Sequence, residues 1–455
     1  MEKIQSIVKE KNQPDKNEIF STNLTPSEWN NIKRNYNQKR KYGFIVLGII
    51  FILVFGSMFA VSHYSSDLDF MEAFIIFYGV LSFGYILYKY LFAWIYSAAH
   101  LHKSRIHYEP SISIVIPCYN EMPEDLEKCI VSACDNSYPH KEIIVVDDGS
   151  KNKESWATIE RLQQKYGFKK IKFDQNKGKR EAMYAGFKAA TGEIIVTMDS
   201  DSIIVSGESI SELVKPLKDK SVGAVSGNIQ VLNYKENVMS RMQWARYWLA
   251  FHIEKASQSP YDGVTCCSGP FSAYRREYLM QYLDEWINQN FLGIKCTYGD
   301  DRGLTTMMSR NGFKVQYAKY ALCLTNVPST ISKFTKQQIR WKKSFIRENY
   351  YLSKFILNKN VFMQIEFFWF WVIFIIGFMA KALVILFLFT GRTHILSFIL
   401  MITFVALLHE LYAFIRNPGK MGFYGVFYGF LNEFWISWLF WYSLSTLKET
   451  KWGTR

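Results

Sequence analysis

Hydrophobic and polar positions divide the chain into apolar ends and a mixed middle. Residues 43–61 run without a charged side chain, and residues 73–99 are interrupted only by Lys89. Each run suits a helix crossing the ~30 Å hydrocarbon core of a bilayer. Toward the C-terminus, residues 367–389, 395–415 and 422–444 give three more such segments. In the middle, residues 111–117, 141–146 and 193–198 are short runs of β-formers, and residues 122–136, 153–166 and 180–190 carry helical spacing. Strands alternating with helices predict a parallel sheet covered on both faces. In such sheets, ligands bind beyond the carboxyl ends of the strands.

Two further segments read as amphipathic helices. Residues 330–359 set Ile331, Phe334, Phe345, Leu352, Phe355 and Ile356 against Lys333, Lys336, Arg340, Lys342, Lys343 and Arg347. A basic helix of this kind lies in the headgroup plane of a membrane. Residues 238–256, with Met239, Trp244, Trp248 and Phe251, are expected to do the same.

Charge orients these segments. Arg34, Lys39, Arg40 and Lys41 precede the first apolar run, whereas the loop after it carries Asp67 and Asp69 and no Lys or Arg. The positive-inside rule then makes the N-terminal tail and the middle of the chain cytosolic. The expected layout is a multi-pass protein of the plasma membrane. It has a cytosolic tail (1–42), two transmembrane helices (43–99), a cytosolic α/β domain (105–329), an interfacial helix (330–359), a C-terminal transmembrane region (361–447) and a short tail (448–455). Three full C-terminal spans would place the basic tail outside. One of them is therefore expected to be interfacial or re-entrant, and residues 422–444, with Asn432 and Glu433 mid-segment, are the candidate.

Composition narrows the partners. The net charge is +14, from 54 Lys and Arg against 40 Asp and Glu, and the excess lies beside the apolar runs and in the 330–359 helix. That placement points to membrane lipid and a phosphorylated substrate, and not to nucleic acid. Seven cysteines without C-x-x-C spacing indicate reduced thiols, not disulfides or structural zinc.

The candidate chemistry stands at the strand ends. The third strand delivers Asp199 and Asp201, separated by one residue, so their side chains point the same way. Two carboxylates aimed at one point repel unless a cation lies between them, and a hard divalent ion fits oxygen ligands. The first strand delivers Tyr119 and Glu121, the second Asp147 and Asp148. A carboxylate there can accept hydrogen bonds from a base or ribose, and Tyr119 can stack on a ring. Lys177, Gly178, Lys179 and Arg180 place cations and a glycine at a helix start, which suits an anion. Each feature alone is an ordinary turn; together they make a nucleotide-diphosphate site.

The strings I-V-I-P-C-Y-N-E, V-V-D-D-G-S, N-K-G-K-R and M-D-S-D resemble the GT-A fold of inverting family 2 glycosyltransferases, which use nucleotide sugars and a divalent metal. The resemblance implies an α/β GT-A domain, the Rossmann-like nucleotide-diphospho-sugar transferase fold, fused to a transmembrane and interfacial-helix region. Ser268-Gly269-Pro270, Tyr274-Arg275-Arg276-Glu277, Gly299-Asp300-Asp301-Arg302 and Gln337-Gln338-Ile339-Arg340-Trp341 follow in order. The last is similar to the Q-x-x-R-W signature of processive members, which extend a polysaccharide and export it. Together with C-S-G-P and a terminal W-G-T-R, the strings look most like class I hyaluronan synthases. That branch implies alternating transfer from UDP-GlcNAc and UDP-GlcA to a growing polysaccharide.

Carried over residue by residue, the resemblance implies Mg2+ or Mn2+ on Asp201 and Asp199. It implies donor contacts from Tyr119, Glu121, Asp147, Asp148, Lys177, Lys179, Arg180, Gln337 and Arg340. The catalytic base is expected at Asp301, with Asp300 second; both also suit an N-cap for the following helix. Acceptor contacts are expected from Trp341, Cys267, Ser268, Gly269, Pro270 and Arg275, although Trp341 also reads as an interface anchor. Trp452 and Arg455 are expected on the cytosolic side near the site. Two other readings stay open: a synthase making a homopolymer such as chitin-like poly-GlcNAc, and a non-catalytic membrane scaffold.

Overall fold

The computed structural model describes residues 70–99, 107–389, 395–416 and 421–449. The tail 1–42, the apolar run 43–61, Trp452 and Arg455 lie outside them. A long helix, α1 (Phe70–Ala99), precedes the α/β region. That region begins β1 (Ile112–Cys118), α2 (Pro123–Cys134), β2 (Lys141–Asp147), α3 (Lys153–Tyr166), β3 (Lys169–Lys172), α4 (Lys179–Ala189), β4 (Ile194–Thr197) and β5 (Ser202–Ile204). It continues α5 (Gly207–Val214), β6 (Val222–Val231), α6 (Val238–Leu249), α7 (Lys255–Gln258), β7 (Ser272–Arg275) and α8 (Arg276–Ile287). A small hairpin, β8 (Asn290–Phe291) and β9 (Ile294–Lys295), leads to α9 (Asp300–Arg310) and β10 (Lys314–Thr325).

The eight-stranded sheet has the order β3-β2-β1-β4-β7-β6-β10-β5. β1, β2, β3 and β4 pair in parallel, as the alternation of strands and helices predicts. All seven residues of β1 are buried, which explains its unbroken apolar run: a parallel strand is covered on both faces. The sheet as a whole is mixed, because β7 runs antiparallel to both β4 and β6, and β5 antiparallel to β10. The short edge strand β3, Lys169-Lys170-Ile171-Lys172, escapes a hydrophobicity reading because three of its four residues are exposed lysines. Lysine on an edge strand blocks pairing with another chain.

One expectation about amphipathic helices is corrected, and two cations of the other are placed inside the protein. Trp244, Trp248 and Phe251 are buried, with Trp244 packed on Tyr234 and Trp248 stacked on His252. The 238–256 segment therefore sits inside the protein; a helix with aromatic residues on several faces is covered on several faces. In α10 (Ile331–Ser353), Lys343 and Arg347 are buried and do not reach outward to headgroups. Arg347 donates to the Tyr298 carbonyl (2.7 Å) and pairs with the buried Glu348 (2.7 Å), which makes a buried cation tolerable.

Three segments follow: α11 (Val361–Phe389), α12 (Ile395–Arg416) and α13 (Met421–Leu431). Beyond α13 the chain makes a wide turn at Asn432–Ile436, where the Ser437 amide reaches back to the Asn432 carbonyl (2.8 Å), before α14 (Leu439–Ser445). The break falls on the polar pair singled out in the sequence, and Glu433 pairs with Lys381 of α11 (2.6 Å). Among the described residues one stretch, Val361–Ala382, is long and apolar enough to cross a membrane.

Candidate active site

At the end of β4, Asp199 and Asp201 are half-buried while Ser200, pointing the other way, donates to Glu121 (2.6 Å). These residues form the turn that follows β4, in which the Ser202 amide donates to the Asp199 carbonyl (3.0 Å). Asp201 accepts from Thr325 at the end of β10 (3.2 Å). Lys179, the first residue of α4, pairs with Asp199, and its ammonium also lies in the field of Asp300 and Asp301. Burial alone would lower the Lys179 pKa, but these three carboxylates outweigh it and hold the amine above the ordinary lysine value.

Gly299, at a positive φ of 73°, turns the chain into α9, so Asp300 and Asp301 fall in its first turn and neither is the cap. They face different surroundings. Asp300 is buried beside Arg180 (3.6 Å), and burial, opposed by Arg180 and Lys179, leaves its carboxyl raised. Asp301 is half-buried and accepts the Arg302 amide (2.7 Å) and the Cys266 thiol (3.6 Å). Asp301 is the partner that remains accessible.

The donor loops are tied to one another by their own side chains. Asp147 is fully buried and accepts the Ser150 hydroxyl (2.5 Å) within its own loop. Asp148 accepts the amides of Lys177 (2.7 Å) and Gly178 (2.9 Å) and the Asn176 side chain (2.8 Å), fixing the loop that leads into α4. Burial pushes the Asp148 carboxyl up to about 6 despite those amides. Lys177 is exposed over the Phe173 ring, and Tyr119 is half-buried at the end of β1.

Two predicted contacts are not brought to the site. Arg180 is buried, donating to the Cys296 carbonyl (2.9 Å) and Gln289 (2.7 Å) over the Trp286 ring, so it supports the site from beneath. Arg275 lies opposite Ile194, at the start of β4, because β7 is antiparallel; it donates to the Leu217 carbonyl at the far end of the sheet from Asp199.

The Cys266–Pro270 loop does reach the site. A Cβ on Gly269 would stand 3.3 Å from both carboxylate oxygens of Asp199, so only glycine leaves the space beside them open. Cys267 is buried, its thiol pushed up to about 12 by burial, and its amide donates to Thr305 (2.8 Å). Ser268 donates its amide to Ser226 (3.4 Å), and Pro270 accepts the Cys323 thiol (3.7 Å).

In α10, Gln337 and Arg340 are half-buried and Trp341 is 42% exposed. The Trp341 ring lies 6.4 Å from that of Tyr247 in α6. Burial first, then Asp201 and Asp199, raise the Tyr247 phenol, and Arg340 opposes them. Tyr247 thus packs against the Q-x-x-R-W helix and lies in the field of both aspartates. Sequence reasoning passed over it because α6 was read as a membrane-surface helix; its hydroxyl between two tryptophans was the available signal.

A model of glycosyl transferase family 2 matches residues 113–283, spanning β1 to α8. The hyaluronan synthase of Streptococcus pyogenes is 33% identical over 394 residues, covering 83% of this chain and 90% of that protein. This chain belongs to the family 2 glycosyltransferases. The enzyme is also 33% identical over 259 residues to the N-acetylglucosaminyltransferase of Rhizobium meliloti, covering 56% of this chain and 61% of that protein. A solved mannosyltransferase of Pyrobaculum calidifontis, in complex with GDP-Man and Mn2+, superposes with a TM-score of 0.55 at 20% identity, covering 80% of this chain and 99% of that one. That likeness agrees with a GT-A fold around a curled mixed sheet.

Proposed function

We propose that this glycosyltransferase is a processive, inverting synthase that builds hyaluronan from UDP-GlcNAc and UDP-GlcA and moves it across the plasma membrane. The observation that carries the reading is the Lys179–Asp199 pair, set in the field of Asp300 and Asp301, in a chain similar to hyaluronan synthase over 90% of that relative.

The donor diphosphate lies against Lys179, the start of α4 and Arg340, whose planar guanidinium suits two phosphate oxygens. Asp199 and Asp201 offer hard oxygens with space beside them at Gly269, which fits a divalent ion. Among the described residues no third acidic, His or Cys side chain joins them, so the remaining ligand positions fall to diphosphate oxygens or water. When bound, Mg2+ or Mn2+ supplies charge neutralisation to the departing UDP. The acceptor sugar rests on Trp341. Asp301 takes the proton of its attacking hydroxyl, the new bond forms on the face opposite the diphosphate, and UDP leaves. Ser200 and Glu121 hold the two aspartates in place.

The apolar stretch Val361–Ala382 supports a membrane span, and α1, α12, α13 and the 43–61 run are read as further membrane segments, with the catalytic domain cytosolic. The N-acetylglucosaminyltransferase relatives favour a second reading, a homopolymer of N-acetylglucosamine.

Purified enzyme in lipid nanodiscs, given each UDP-sugar separately and then both, distinguishes these. Polymer formed only with both donors is expected. Polymer from UDP-GlcNAc alone selects the homopolymer, and no UDP release under any condition refutes both.

A further inference from the structure

A buried polar cluster lies away from the strand ends. Lys89 of α1 pairs with Glu366 of α11, and both are buried. Glu366 also accepts from Tyr261 and from the Gln258 amide (2.8 Å). Gln258 is the last residue of α7 and buried as well. Its carbonyl oxygen faces the other way and accepts the Thr265 amide (3.2 Å). Thr265 opens the loop that runs through Cys266 and Cys267 to Gly269.

That loop is joined to the first turn of α9 at two points. The Cys266 thiol donates to Asp301 (3.6 Å). The Cys267 amide donates to Thr305 (2.8 Å), whose hydroxyl donates to the Asp301 carbonyl (2.7 Å). A path of hydrogen bonds, completed by the Thr265–Cys266 backbone, therefore runs from a charge pair between two long helices, through one amide side chain, to Asp301. A buried amide saturated at both ends has one orientation, because turning it over would set donor against donor and acceptor against acceptor.

We propose that Gln258 is a positioning residue that fixes the acceptor loop, and with it Asp301, to the α1–α11 helix pair. The inference rests on reading Asp301 as the base. Gln258 touches no reacting atom; it sets where the proton acceptor stands relative to the helices beside which the product leaves. Its loss acts on the transfer step and leaves the donor pocket, built from Asp148, Lys179 and Asp199, as it was.

The test uses the full chain in nanodiscs and three variants: Gln258→Glu, Glu366→Gln, and the two together. Gln258→Glu alone sets two carboxylates face to face; the double variant exchanges donor and acceptor and restores the bridge. Gln258→Glu is expected to lower kcat about tenfold with the donor KM unchanged, a loss in the range that a small misplacement of a reacting group produces. It is also expected to raise the rate at which Cys266 reacts with a maleimide severalfold, since the loop is freed. The double variant should recover both. Equal losses in all three variants, a raised donor KM, or a Cys266 labelling rate that does not change would overturn the proposal. Labelling is read whichever polymer forms, so a wrong donor assignment cannot be confused with a failed Gln258 role. Should Gln258→Glu not fold, the double variant carries the decision against the wild type: it must fold and show a kcat and a Cys266 labelling rate close to those of the wild type, and a large loss in it would overturn the proposal.

Discussion

Lys179 and Asp199 form an ion pair between the first residue of α4 and the end of β4, and the lysine lies in the field of the carboxylates of α9. A lysine placed among three carboxylates is where a diphosphate and its counter-ion would be received, and it sets the order in which the surrounding residues can be tested.

Asp201→Asn removes one hard oxygen and one charge beside Asp199 while keeping the shape that Thr325 contacts. UDP release is expected to fall by about a hundredfold or more, the scale of losing a preorganised electrostatic group. Unchanged membrane yield and melting temperature would accompany it. Full activity in the presence of a strong chelator would contradict the role given to this carboxylate.

Gly269→Ala tests the space beside Asp199. The added Cβ would stand 3.3 Å from both of its oxygens and 3.6 Å from the Lys179 ammonium. Turnover is expected to drop about tenfold with little change in melting temperature, because the crowded atoms belong to the site and not to the core. Wild-type turnover would show that the space is not used.

Asp148 predicts a pH dependence. Its carboxyl is raised to about 6, above the ordinary carboxylate value of about 4, so ionising it costs folding free energy. The stability it contributes is complete below that ordinary value and is lost as pH rises through about 6. Asp148→Asn cannot ionise. The melting temperature of the variant minus that of the wild type should therefore increase from pH 4.5 to pH 7, and a difference that stays flat over that range would refute the assignment.

Gly299→Ala places a Cβ at a left-handed position and against the Ser344 side chain of α10. The backbone alone costs about 1–2 kcal/mol, and the contact adds to it. A lowered melting temperature together with lost turnover is expected, because the turn that presents Asp301 must shift. A variant as stable as the wild type would show that α10 gives way without cost.

Much of the site was legible because it is local. Strands β1, β2 and β4 are buried on both faces, so their apolar runs are conspicuous, and the residues that end them are the residues that matter. Partners distant in sequence were not legible. Arg180 stands in a string of cations that reads as an anion site, yet its guanidinium donates to a carbonyl 116 residues further along. Arg275 follows a recognisable motif, but only the antiparallel register of β7 reveals that it faces the opposite end of the sheet. The aromatic residues of α6 look alike whether lipid or protein covers them, and α13, which packs against that helix, is more than 170 residues away. Lys343 and Arg347 likewise look solvent-facing until Glu449 and the Tyr298 carbonyl are seen beside them.

The wide turn at Asn432–Ile436 has a bearing on how the end of the chain is aligned. It accommodates one residue more than a regular helical turn, and α14 beyond it presents Ser443 to the Ile339 carbonyl (3.4 Å), immediately before Arg340. Removing a single residue there would rotate everything downstream by about 100° and swing Ser443 off that carbonyl. The spare residue thus acts as a phase setting, matching the angular position of α14 to the turn of α10 that carries Arg340.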